Sequence, residues 1–118
     1  MAQIKNINGE NNTYMNQNMI LSIVSLATKE IKGVIEVYQP KRFTLKRLFD
    51  KNIGKGVCIK DTQSGVLIDI YVIVSTDVEV NDIVYKIQQN VKNSLTSLLP
   101  IKIKAINVHI QDAEKVSL

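Results

Sequence analysis

The sequence predicts an α+β fold: a single domain of order α-β-β-β-α-β, with a four-stranded sheet and two helices packed on one face. Three observations carry this expectation. Two segments repeat apolar residues at three- and four-residue steps, the period of a helix face. Four shorter segments rich in Val and Ile are bounded by Gly, Pro or Asp, the pattern of strands and turns. The chain has four Tyr, two Phe and no Trp, so its core is aliphatic, and β-branched residues suit strands. A length of 118 residues holds one domain and not two.

Residues 1–15 are polar and Asn-rich and read as a flexible tail ahead of a domain over 16–112. The first helix is expected from about Gln17 to Lys32, because Ile20, Ile23, Val24, Ala27 and Ile31 share one face. Asn16 or Asn18 would cap its start, and Gly33 sits where a left-handed stop is needed. Val34 to Tyr38 is a short strand that Pro40 ends. Residues 39–54 are basic and irregular, closed by Gly54 and Gly56. Gly56 to Asp61 is the second strand, and a turn at Asp61-Thr62-Gln63-Ser64-Gly65 leads into the third, Val66 to Ser75. There Val66, Ile68, Ile70, Val72 and Val74 form a wholly apolar face, while Leu67, Asp69, Tyr71 and Ile73 make a mixed one. A second helix spans about Asn81 to Leu98, with a buried stripe of Ile83, Val84, Ile87, Val91, Leu95 and Leu98. Asp77, Glu79 and Asp82 cluster at its positive end, where the helix dipole favours carboxylates. Pro100 stops it. The last strand covers about Lys102 to Gln111, and residues 113–118 read as a short C-terminal tail.

Charge is uneven along the chain. The net charge is +4, yet residues 32–60 hold eight basic side chains against Glu36 and Asp50, a surplus of six. The remainder holds seven basic and nine acidic residues. A local patch of this kind says more about a partner than the overall charge does. Within it, Leu45, Leu48 and Phe49 are flanked by Lys41, Arg42, Lys46 and Arg47, a composition suited to an anionic membrane surface or an acidic partner. No run approaches the roughly 20 apolar residues of a membrane span, and no secretory leader is visible, so an intracellular, cytoplasmic location is expected. The single Cys58 cannot make an internal disulfide and fits a reducing compartment.

The catalytic inventory is thin. His109 is the one histidine, and no Ser or Cys motif points at it. Asp77, Glu79 and Asp82 lack the glycine and terminal glutamate of a calcium loop. Gly54-Lys55-Gly56 is only a fragment of a phosphate loop, and a strand follows it where a helix is required. There is no zinc pattern. Neither a metal nor a cofactor is expected, nor a small-molecule substrate. Nucleic-acid binding has the basic patch but lacks the stacking aromatics that accompany it in single-strand binders.

Several pieces taken in order resemble the bacterial alkaline-shock protein family, the envelope stress response family. They are the helix ending in Lys32-Gly33-Val34, the strand start Lys55-Gly56-Val57, the hydrophobic strand Val66 to Val74, and Ile87-Gln88 with Val91. The last is Ile106-Asn107-Val108-His109-Ile110-Gln111-Asp112. The resemblance covers about residues 17–112 and carries over Gly33, Gly56, Gln88, Asn107 and His109 as pattern positions. It implies a small non-catalytic cytoplasmic protein linked to cell-envelope homeostasis and stress, at the membrane in some members through an anchoring partner. The strongly basic 41–55 stretch and the short C-terminal tail depart from the family pattern.

Together these readings predict an interaction or scaffold protein without catalysis. It would bind an acidic protein partner or a membrane-associated assembly through Lys41, Arg42, Lys46, Arg47, Lys51 and Lys55. The mixed sheet face, with Tyr71, Ile73, Asn107 and His109, or a sheet edge would support further contacts, including self-association into a homo-oligomer. The alternatives are nucleic-acid binding through the same basic stretch, or regulation of a lipid-metabolism enzyme.

Overall fold

The structure, a computed structural model, describes residues 10–37, 53–54 and 56–115. A helix α1 (Glu10–Lys29) is followed by β1 (Val34–Val37), a two-residue β2 (Ile53–Gly54), β3 (Val57–Thr62) and β4 (Gly65–Ser75). A second helix α2 (Val80–Leu98) and β5 (Ile103–Glu114) complete it. The four main strands and two helices therefore follow the α-β-β-β-α-β order, with β2 added as a short partner of β3.

β4 organises the sheet. β5 runs parallel to it over the whole stretch from Val66, opposite Ile103, to Ser75, opposite Glu114, and so occupies one of its edges. The other edge is shared. β3 pairs antiparallel with Gly65 to Ile70, and β1 pairs antiparallel with Val72 to Val74. The parallel pairing follows from α2. A strand returning in the same direction needs a crossover, and 19 helical residues carry the chain about 28 Å back along the sheet.

The two-residue period of β4 sends Val66, Ile68, Ile70, Val72 and Val74 to the helix side, where all are buried. They meet Ile20, Val24 and Ala27 of α1, Ile83, Ile87, Val91 and Leu95 of α2, and Val57 and Ile59 of β3 in one aliphatic cluster. Thr28 is buried with them. Its hydroxyl donates to the Val24 carbonyl at 2.7 Å, which removes the cost of a dry polar group. Asn90 of α2 joins the helices, its amide donating to the Ala27 carbonyl (2.7 Å) and to Glu30 (2.9 Å).

The start of α2 matches its sequence. Glu79 is the N-cap, and its carboxylate accepts from the Asp82 backbone N–H at 3.2 Å. Gly33 follows α1 with φ +103°, and a Cβ there would stand 2.7 Å from Ile83 Cδ1. Its carbonyl accepts from Ser75 N–H, so this turn fixes the approach of β1 to β4.

Four details differ from the sequence expectation. Helix α1 begins at Glu10, so residues 10–15, read as tail, are helical, and neither Asn16 nor Asn18 is a cap. Helix extension is cooperative once a turn exists, and the apolar period used to place its start is silent in an Asn-rich run. Strand β5 continues to Glu114, two residues past the expected domain end, because β4 still offers Val74 and Ser75 as partners. Leu98 is 65% exposed and Leu99 is buried instead. The backbone turns extended at Leu99 (φ −133°, ψ 144°), which swings that side chain inward. Finally, Gln111 and Lys104 are skipped in the β4–β5 register, so β5 carries two bulges that an alternating pattern does not announce.

Candidate functional site

The face of the sheet opposite the helices carries the polar chemistry. Leu67, Asp69, Tyr71 and Ile73 alternate with the buried residues of β4 and point the other way. The parallel register places Asp69 beside Asn107 and Tyr71 beside His109, while the antiparallel register places Cys58 on the far side of Asp69. Asp69 is the hub. His109 Nε2 lies 2.8 Å from Asp69 Oδ1, and since a carboxylate only accepts, this nitrogen carries the proton and donates. Asn107 Nδ2 donates to the same oxygen at 3.2 Å. The Tyr71 ring stacks on His109 with centroids 4.5 Å apart and planes 15° from parallel, an arrangement that holds the face of the imidazole against the phenol ring. The His109 side chain is 40% exposed and that of Asp69 24%.

Of the four residues expected on this face, Tyr71, Asn107 and His109 are thus in mutual contact or share Asp69. Ile73 is on the same side but only 7% exposed, so it offers little surface. Sequence reasoning did not name Asp69 as a centre. Its signal was an acid interrupting an otherwise apolar strand. Gln88 was noted only as a pattern position. Its amide donates to the Ile106 carbonyl of β5 at 2.9 Å.

The six basic residues Lys41, Arg42, Lys46, Arg47, Lys51 and Lys55 lie outside the described residues. The points where the chain leaves β4 and pairs with it again are described, with β2 (Ile53–Gly54) on β3 in between. Val37 pairs with Val72, and Val57 pairs with Ile70. β1 and β3 therefore lie in line along one edge of β4, about 7 Å apart by strand rise. Tyr71 lies between them, and its N–H donates to the Gly56 carbonyl at 2.8 Å. Val37 and Gly56, the described residues on either side of the basic stretch of sequence, thus flank the residue that stacks on His109.

The chemistry of this face is that of a fixed polar surface. An Asp–His pair orients an imidazole, but acyl transfer also needs a nucleophile within hydrogen-bond reach of it. Cys58 pairs with Asp69 and His109 with Tyr71, so their backbones stand about 12 Å apart at the usual strand spacing and rise. Among the described residues, no group of three or more His, Cys, Asp and Glu side chains could hold a metal ion. A concavity of about 300 Å³ opens at the end of the sheet, lined by Gln17, Asp61, Thr62 and Lys102 among others. Gln17 donates to Asp61 across it at 3.3 Å. No helix among the described residues is long and apolar enough to cross a membrane.

Comparison with known proteins decides the family. A model of the alkaline-shock protein 23 family, described by a cell envelope-related function, matches residues 5–115. The chain belongs to this family. Its similarity extends to the uncharacterized protein Spy1614 of Streptococcus pyogenes, 28% identical over 86% of this chain and 87% of that one. The uncharacterized protein YqhY of Bacillus subtilis is 30% identical over 75% of this chain and 66% of its own length. Among solved structures, the zinc form of the MamM CTD superposes with a TM-score of 0.55 over 87% of this chain and 89% of that one. Its sequence identity is 12%, so the likeness is one of fold alone. The resemblance read from Lys32-Gly33-Val34 through Ile106 to Asp112 is borne out, and the family's function is cell envelope-related.

Proposed function

We propose that this alkaline-shock family member is a non-catalytic interaction scaffold of the cell envelope that binds an acidic protein partner, in solution or in a membrane-associated assembly. The observation that carries the reading is the concentration of charge. A surplus of six positive charges falls within residues 32–60, and most of it is borne by the excursion between β1 and β3. Cations gathered on one connector attract an acidic surface and speed its approach. Tyr71, Asn107 and His109 form the adjoining sheet surface, with Ile73 behind them. The separation of Cys58 from His109 supports a binding role over a catalytic one. Self-association is part of the reading, since a scaffold gains reach and avidity when it presents several copies of one binding stretch.

The test is capture from the native cell with the full chain, compared with a variant carrying Glu at residues 41, 42, 46, 47, 51 and 55. The expected result is loss of the acidic partners from the variant, with its melting temperature unchanged. Identical partners for both proteins would overturn the role of the basic stretch. A mobility shift with oligonucleotides near physiological salt, abolished in the same variant, would replace the acidic partner with nucleic acid.

A further inference from the structure

β5 is a 12-residue strand that, among the described residues, is bonded along one edge only, to β4. Among the described residues, nothing in strand conformation covers its other edge. Long edges of this kind recruit a further strand unless they are blunted. The two bulges, at Lys104 and Gln111, bracket a regular stretch from Ala105 to Ile110 that stays in step with β4. Alternate residues of a strand present their backbone groups to opposite edges. The Gln88 amide reaches the Ile106 carbonyl from α2, which marks Ile106, Val108 and Ile110 as the set facing outward. A carbonyl has two lone pairs, so that bond leaves Ile106 able to accept another.

The side chains of this stretch are incompletely covered. Ile106, Val108 and Ile110 pack against the core but remain partly exposed, whereas Ile68, Ile70 and Val72 in the same layer of β4 are fully buried. One more strand beside β5 would finish that layer.

The charges on β5 identify the strand that fits. Lys102 and Lys104 precede the regular stretch, and Asp112 and Glu114 follow it. All four are exposed, and among the described residues none of them is in an ion pair. Laid antiparallel on itself about Val108, this strand sets Lys104 opposite Asp112 and Lys102 opposite Glu114. Each pair occurs twice by symmetry. The same register sets Ile106 opposite Ile110 on the core side and Asn107 opposite His109 on the outer side. A two-fold interface requires such self-complementarity, and a shift of two residues in either direction keeps only one of the two opposed charge pairs.

We propose that the partner of the β5 edge is a second copy of this chain, paired antiparallel about Val108 into a two-fold dimer with one continuous sheet. The proposal rests on the self-association in the reading above and names its surface and register. Opposed charges across strands contribute modestly each and like charges oppose pairing, so the pattern selects the register while the backbone bonds and the Ile and Val contacts supply the affinity.

The test uses the full chain and two double variants, Lys102→Glu with Lys104→Glu, and Asp112→Lys with Glu114→Lys. Sedimentation equilibrium measures self-association of each alone and of an equimolar mixture. The wild type is expected to dimerise, and each double variant to do so about tenfold or more weakly, with unchanged circular dichroism. Mixing the two variants is expected to restore dimers, because every opposed pair is then one Glu or Asp against one Lys. A wild type that stays monomeric at every accessible concentration would overturn both the self-association and the β5 interface. Dimers equally tight in both double variants, or no recovery on mixing, would overturn the β5 pairing while leaving self-association through another surface standing.

Discussion

The two faces of β4 are made by the same eleven residues and differ in nearly every property. On the helix side, five Val and Ile residues are sealed beneath α1 and α2. On the other side, Asp69 holds the neighbouring His109 at 2.8 Å and Asn107 at 3.2 Å, and Tyr71 stacks on the histidine with a ring separation of 4.5 Å. A buried methylene stabilises by staying out of water, and its loss also leaves a cavity. A half-exposed hydrogen bond exchanges with water at small net gain. The difference teaches that stability resides mainly on the helix face, while the outer face carries a half-exposed polar network that adds little to it.

Substitutions that cut into each face sharpen that contrast. Leu95 is fully buried at the C-terminal end of the α2 stripe, and Leu95→Ala is expected to cost about 3 kcal/mol, read as a lower denaturation midpoint. A Leu95→Ala protein as stable as the parent would break the assignment of stability to the helix side. Gly65 starts β4 at φ +128°, and a Cβ there would lie 2.9 Å from the Lys102 carbonyl oxygen and 3.0 Å from Lys104 N. Both neighbours are backbone, so Gly65→Ala is expected to cost about 2 kcal/mol in thermal unfolding and to loosen the start of the β4–β5 ladder in hydrogen exchange. On the outer face, Asp69→Ala removes the shared acceptor of His109 and Asn107. It is expected to cost about 1 kcal/mol and to free the imidazole, seen as broadening and shift of the His109 ring resonances. An effect as large as that of Leu95→Ala would erase the contrast. The smallest change is expected at Lys86→Ala. The Lys86–Asp82 pair is 3.0 Å long, but both side chains are more than half exposed, so the loss is about 0.5 kcal/mol or less, to be checked by denaturant titration.

Much of this was legible in the sequence where a local rule decided the outcome. The stripe of Ile83, Ile87, Val91 and Leu95 has the helix period, and the apolar face of β4 has the strand period, so both sides of the core were readable. The acid cluster at the start of α2 marked its positive end, though not Glu79 as the cap. What the sequence withheld depended on geometry set at a distance. The exchange of Leu98 for Leu99 follows from one extended residue at the helix end. The Asp69–His109 bond joins residues 40 apart in sequence and needs the parallel register, which becomes visible only once α2 is known to return the chain beside β4. Asp69 was visible as an interruption of an apolar run, yet its partners were not. The Asn-rich start of α1 gave no apolar period to read, so its first turns were assigned to a tail.

The in-line arrangement of β1 and β3 has a consequence for how this protein can vary. Their junction is a seam: the backbone leaves β4 at Val37 and, by way of β2 on β3, meets it again at Gly56 and Val57 without displacing any pairing of β4. Closing a longer detour between two fixed anchorages costs little extra entropy, about 0.6 kcal/mol for each doubling. Relatives can therefore lengthen, shorten or recharge the segment without rebuilding the domain, and an engineer could splice a foreign peptide there or relocate the termini to it. The sheet would serve as a chassis, and selection for new partners could act on the detour alone.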